Sequence, residues 1–176
     1  MNTIGFPISS KKNEKRRALI PQDIAGLKHP EMLFFEKGYG EVIGFSDKDY
    51  INAGANVVSR KETLSKDIVC DPKIGDADYL GSLKNQTVFG WLHAVRNRDI
   101  ADKLIDNGLT GIAWEDMYSD NRHTFWRNNE IAGEAAVMHA FQCYGEMPYN
   151  TKVALIGKGN VGCGALKILT LLGADV

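Results

Sequence analysis

Six short runs rich in β-branched and aromatic residues recur along the chain, at residues 3–7, 32–36, 56–58, 67–70, 87–92 and 110–114. Segments of helical spacing separate them, and this alternation predicts a mostly parallel sheet covered by helices. Pro21 is placed as the first residue of a helix over 22–27, and Ser46 with Asp49 forms a capping pair for a helix over 47–53. A helix near 98–106, closing at Gly108, carries Ile100, Leu104 and Ile105 as its buried side. From 129 to 146 the spacing of Ile131, Ala135, Met138 and Phe141 predicts a long amphipathic helix with those four residues inward. Pro148 and Asn150 then stop it. The expected division is a catalytic domain over 1–127, a connecting helix and linker over 128–150, and the start of a second domain over 151–176.

That second domain opens on the most specific local pattern in the chain. Val153 to Ile156 is an apolar run of strand length, followed by Gly157-Lys158-Gly159-Asn160-Val161-Gly162 and an apolar helical stretch with Leu166, Ile168, Leu169 and Leu172 toward the sheet. Strand, Gly-x-Gly-x-x-Gly turn and helix together form a dinucleotide-binding fingerprint. Gly157 permits the turn, Gly159 lets a pyrophosphate approach the backbone, and Gly162 lets the helix pack on the strand. Helix amides near Asn160 would hold the phosphates. The residue that selects NAD or NADP lies about 20 positions beyond the first glycine, past Val176. Only the first strand, turn and helix of such a fold are expected here, so this length is expected to be inactive by itself.

Composition narrows the setting. The 176 residues are 44% hydrophobic with a net charge of −1 and both signs interspersed, which gives no electrostatic footprint for nucleic acid or an anionic membrane. Cys70, Cys143 and Cys163 are irregularly spaced, fitting reduced intracellular thiols rather than a disulfide frame or a metal site. No stretch approaches the roughly 20 apolar residues of a membrane span. A soluble cytoplasmic protein acting on small molecules is expected.

Ligands of parallel α/β sheets gather beyond the carboxyl ends of the strands. The reactive side chains just past those ends are Arg16, Lys73, His93 and Glu115. A guanidinium at Arg16 can grip a carboxylate through two parallel hydrogen bonds, or else stand with Arg17 as a surface charge. Lys73 can polarise a carbonyl or exchange a proton, or else serve as a turn residue after Pro72. His93 is the natural general acid and base, or else a satisfied core histidine. Taken together they suit a 2-oxo acid. Trp91 and Trp126 read as packing residues.

The segment Asn13-Glu14-Lys15-Arg16-Arg17-Ala18-Leu19-Ile20-Pro21 resembles the Asn-Glu-x-Arg-Val-Ala-x-x-Pro element of the alanine dehydrogenase and transhydrogenase α-subunit family. Leu92-His93, Gly111-Ile112-Ala113-Trp114-Glu115, Asn129-Glu130-Ile131-Ala132-Gly133 and the loop from Gly157 follow in that family's order. Cys70-Asp71-Pro72-Lys73 departs from its usual Lys-Val-Lys-Glu-Pro and looks more like the saccharopine dehydrogenase and N(5)-(carboxyethyl)ornithine synthase branch. The resemblance implies an α/β fold in which a Rossmann-like parallel-sheet substrate domain precedes an incomplete Rossmann dinucleotide-binding domain. It further implies an oxidoreductase on CH–NH bonds that condenses pyruvate with the side-chain amine of ornithine or lysine and reduces the product with NADPH, NAD being possible. Arg16 and Lys73 would then bind the 2-oxo acid, Lys73 and His93 would act in catalysis, and Asn129 with Gly157, Lys158, Gly159, Asn160, Val161 and Gly162 would bind the cofactor. A homo-oligomer is implied for the full-length protein. Reductive amination of pyruvate with ammonia, a non-catalytic fragment and an S-adenosylmethionine-dependent methyltransferase are the competing readings.

Overall fold

A computed structural model describes residues 1–176, which divide into two compact units, Met1–Asp116 and Met117–Val176. In the first, strands β1 (Ile4–Phe6), β2 (Leu33–Glu36), β3 (Asn56–Val58), β4 (Ile68–Cys70), β5 (Thr87–Gly90) and β6 (Thr110–Ala113) form one sheet in the order β3-β2-β1-β4-β5-β6. Every pairing is parallel, with Ile4 opposite Leu33 on one side and Ile68 on the other. All six strands lie within the apolar runs identified in the sequence. The helices α1 (Pro21–Ile24), α2 (Asp47–Asn52), α3 (Arg60–Thr63) and α4 (Arg98–Asp106) supply the connections. Ser46 donates its backbone N–H to the Asp49 carboxylate at 2.7 Å and so caps α2 as expected.

Two apolar clusters hold this sheet. Phe6 and Phe35 stack with ring centres 4.5 Å apart, and Tyr39 and Tyr50 pack on Phe35 at 5.1 and 4.6 Å. A second cluster joins Val69, Ile74, Leu80, Leu83, Val88, Leu92 and Ile100. Leu104 packs against that cluster, whereas Ile105 is 76% exposed, because α4 turns only its Ile100 and Leu104 side to the core.

In the second unit, a two-stranded antiparallel hairpin of β7 (Tyr118–Ser119) and β8 (Arg122–His123) precedes α5 (Trp126–Tyr144) and α6 (Asn160–Leu171). The stretch expected to be a strand, 153–156, forms no ladder of its own. Its extended chain is tied at one end by a parallel bridge between Lys152 and Asp175 and by Val153 N–H donating to the Asp175 carbonyl at 2.7 Å. The inward face of α5 also differs from expectation: Gly133 and Val137 are buried and Phe141 is half-buried, while Ile131 and Met138 are about half exposed. On α6, Leu169 is 2% exposed and Ile168 packs beside it, but Leu166 and Leu172 are exposed.

Close backbone approach explains the choice of face. A Cβ at Gly133 would lie 2.0 Å from the Val161 carbonyl oxygen, and one at Gly164 would lie 2.0 Å from that of Glu130. The two helices therefore cross with backbone against backbone, which only glycine allows, and this fixes the contact on the small-residue side rather than on the Ile131–Met138 side. Gly164→Ala should destabilise this unit by about 2 kcal/mol in urea unfolding, the scale of overpacking in a rigid contact. Gly159→Ala, whose Cβ meets nothing within 4 Å, should shift stability by less than about 0.5 kcal/mol.

Candidate functional site

In a parallel sheet of this order the chain leaves β1 and β4 in opposite directions, opening a crevice at their carboxyl ends. The loop after β1 carries Arg16, that after β4 carries Lys73, that after β5 carries His93, and Glu115 follows β6. Four residues far apart in sequence are thus delivered to one sheet edge.

The β1 loop is tethered at both ends. Arg17 donates through Nε to the Tyr39 carbonyl and lies over the Tyr39 ring at 5.1 Å, while Ala18 N–H donates to the Tyr39 hydroxyl at 2.8 Å. Lys11 pairs with Asp76, and Asp78 N–H donates to Ser10 Oγ at 3.1 Å. Arg17 is therefore an anchor, which separates it from its neighbour. Arg16 donates from Nε and Nη2 to the two carboxylate oxygens of Glu14 at 2.9 and 2.6 Å, and its backbone N–H adds a bond of 2.8 Å. The hydrogen bond from Arg16 holds the Glu14 carboxyl below its ordinary range against the opposing effect of burial, and the charge of Lys73 acts in the same direction as Arg16. Glu14 in turn raises Arg16.

Lys73 sits in a turn built on a fully buried carboxylate. Asp71 accepts the Lys73 backbone N–H at 2.7 Å and the Tyr79 hydroxyl at 2.6 Å. Burial raises the Asp71 carboxyl, and these two bonds oppose it. Further along the turn, Asp76 is held low chiefly by its bond from Lys11, with Lys73 and His93 adding favourable charge. Asp76 is thus the electrostatic neighbour shared by the β4 and β5 loops.

His93 occupies the left-handed region at φ +57°, uncommon for residues other than glycine though enriched in Asn, Asp and His, and costing of order 1–3 kcal/mol. Glu115 holds that turn. One of its oxygens accepts Leu92 N–H at 3.2 Å, the other accepts His93 N–H, and this second oxygen lies 3.8 Å from His93 Nδ1. The imidazole also stacks on Trp91, a buried residue, with centres 6.1 Å apart and planes 19° from parallel. Ring, backbone and carboxylate together fix the imidazole's direction while leaving it about half exposed. Such a group can move a proton at the sheet edge.

In the second unit, Gly157 adopts φ +106°, and the Gly162 Cβ position lies 2.4 Å from the Gly157 carbonyl oxygen, so the turn and the start of α6 pack as the fingerprint requires. The groove beside them measures about 410 Å³ and is lined by Asn129, Gly157, Gly159, Asn160, Val161 and Gly162 among others. Asn129 comes from the first turn of α5 and meets the glycine loop there. The Cβ positions of Gly157 and Gly159 meet nothing within 4 Å, leaving the bare backbone open to a phosphate group. Lys158 is exposed on the turn and does not line this groove, though it lines a neighbouring cavity.

Glu14, Asp71 and Asp76 are the acidic groups that sequence reasoning left without a role. The available signals were an acid two residues before Arg16 and an Asp-Pro closing an apolar strand. No group of three His, Cys, Asp or Glu side chains is arranged to hold a metal ion, and no helix is long and apolar enough to cross a membrane.

Known proteins share this fold. The chain is 31% identical over 98% of its length to an N(5)-(carboxyethyl)ornithine synthase of Clostridium botulinum, covering 60% of that protein. It is likewise 31% identical over 98% of its length to an alanine dehydrogenase of Bacillus subtilis, covering 50% of it. A solved L-alanine dehydrogenase superposes with a TM-score of 0.78 at 30% identity, over 98% of this chain and 53% of that one. A transhydrogenase from Sinorhizobium meliloti, at 21% identity and a TM-score of 0.73 over 98% of this chain and 54% of its own, shares the fold. The chain spans about half to three-fifths of the length of these relatives. A family model described as "Alanine dehydrogenase/PNT, N-terminal domain" matches residues 5–127, and the chain belongs to that family.

Proposed function

We propose that the chain forms the acid-binding part and the opening of the nucleotide-binding part of an oxidoreductase that condenses pyruvate with the side-chain amine of ornithine or lysine and reduces the imine with NADPH. The observation that carries this reading is the convergence of the loops bearing Arg16, Lys73 and His93 on one sheet edge around the junction of β1 and β4. The Cys70-Asp71-Pro72-Lys73 segment and the likeness to the Clostridium enzyme favour the ornithine branch. The likeness to a solved alanine dehydrogenase favours the second reading, in which ammonia is the amine. In this proposal residues 1–127 serve the acid, 128–150 connect, 151–176 begin the nucleotide unit, and the full-length protein is a homo-oligomer.

Arg16 takes the carboxylate of pyruvate through its fork, and the Lys73 ammonium donates to the oxo oxygen, so the amine nitrogen adds to a polarised carbon. His93 delivers a proton to the carbinolamine hydroxyl, which leaves as water to give the protonated imine. Glu115 keeps the imidazole aimed through the His93 backbone N–H. A nicotinamide nucleotide, once bound, would supply hydride chemistry for the imine carbon. Asn129 and the backbone from Gly157 through Lys158, Gly159, Asn160, Val161 and Gly162 hold its phosphates, a role that the open groove suits; NAD fits the same backbone as NADP.

The assay uses the polypeptide at the length of its relatives, following NADPH oxidation with pyruvate and ornithine. Turnover with ornithine but not with ammonia is expected; turnover with ammonia alone would replace the proposal with the alanine dehydrogenase reading. His93→Asn, which tolerates the left-handed backbone, should lower kcat by roughly 100-fold to 10,000-fold with little loss of stability. Arg16→Gln should raise KM for pyruvate by about 100-fold through loss of two charge-assisted bonds, with the KM for the amine nearly unchanged.

A further inference from the structure

The fork that the proposed function gives to pyruvate is engaged by a carboxylate of the chain itself. Glu14 meets Nε and Nη2 of Arg16 at 2.9 and 2.6 Å, in the side-by-side geometry that a 2-oxo acid's carboxylate would adopt. Its side chain is 8% exposed against 48% for Arg16, so the acid is drawn beneath the guanidinium instead of reaching for solvent. The charge of Lys73 also favours the ionised form of this carboxylate. The residue therefore holds against Arg16 the position that the proposal assigns to the substrate carboxylate.

Two carboxylates cannot share one guanidinium edge, and their mutual repulsion is felt strongly at a partly desolvated site. Resting on the reading of Arg16 as the carboxylate binder, we propose that Glu14 is an internal competitor that occupies the Arg16 fork until a 2-oxo acid displaces it. A simple carboxylate offers Arg16 no more than Glu14 already gives. A 2-oxo acid adds a carbonyl oxygen that Lys73 can bind, and this second contact tips the exchange. Glu14 lowers the apparent affinity of every acid that must displace it by one common factor, so binding needs the added oxo contact to overcome it. It acts through Arg16 and is a positioning residue rather than a catalytic one.

The test is an NMR titration of the chain with pyruvate and, separately, with propionate. Glu14→Gln, close in size but uncharged, should tighten pyruvate about tenfold and propionate by the same factor, because a competitor for the fork weakens equally every acid that must displace it. Glu14→Asp, too short to span both nitrogens, should move both ligands in the same direction and guards against misfolding of the first variant. Unchanged or weaker binding in both variants overturns the role of Glu14. Arg16→Gln separates the two levels: loss of pyruvate binding in that variant with no gain from Glu14→Gln leaves Arg16 as the binder and removes the competitor. Pyruvate binding unaffected by Arg16→Gln, or absent from wild type and the Glu14 variants alike, overturns both.

Discussion

Strand β1 is hydrogen-bonded in parallel to β2 on one side and β4 on the other, and the placement of every candidate side chain follows from that pairing. Because the strand order turns at this junction, the loops after β1 and β4 part and leave polar backbone and side chains facing a crevice. Arg16 and Lys73 stand on its two sides. Had β4 added beyond β3, the same residues would have been three interstrand spacings apart, roughly 15 Å.

Where the loops carry polar groups, carboxylates order them, beside the apolar packing of Ile74 and Leu92. Asp71 is buried and gathers the Lys73 backbone and the Tyr79 hydroxyl, and Glu115 gathers two consecutive amides at His93. Glu14 takes Arg16, while Asp76 takes Lys11. Each acid satisfies donors that a tight turn would otherwise leave unpaired. The basic residues of the segment 11–17 are thus divided by what they meet: Lys11 and Arg17 anchor the loop, and the fork of Arg16 is held by Glu14.

The strands were legible because a buried parallel strand is a short apolar run bounded by turn residues, and Val69 and Val88 at the centre of theirs are fully buried. The candidate bases and cations were legible because strand ends are where this architecture binds ligands. The acidic partners were not, since a carboxylate that orients a neighbour has the same composition as one in solvent. The face of α5 was misread for a different reason. Ile131 and Met138 carry most of the apolar signal, yet the tight crossing is set by Gly133 and Gly164, whose contribution is the absence of a side chain. Likewise the run at 153–156 has strand composition, but a ladder needs neighbours, and the chain offers it only the segment at Asp175.

The backbone contact between α5 and α6 has a mechanical side. Side chains between helices can change rotamer and let the helices slide, whereas carbonyl oxygens set against glycine Cα atoms leave no compliant layer. The 19 residues of α5 and the 12 of α6 should then move as a single lever whose tip is the turn at Gly157.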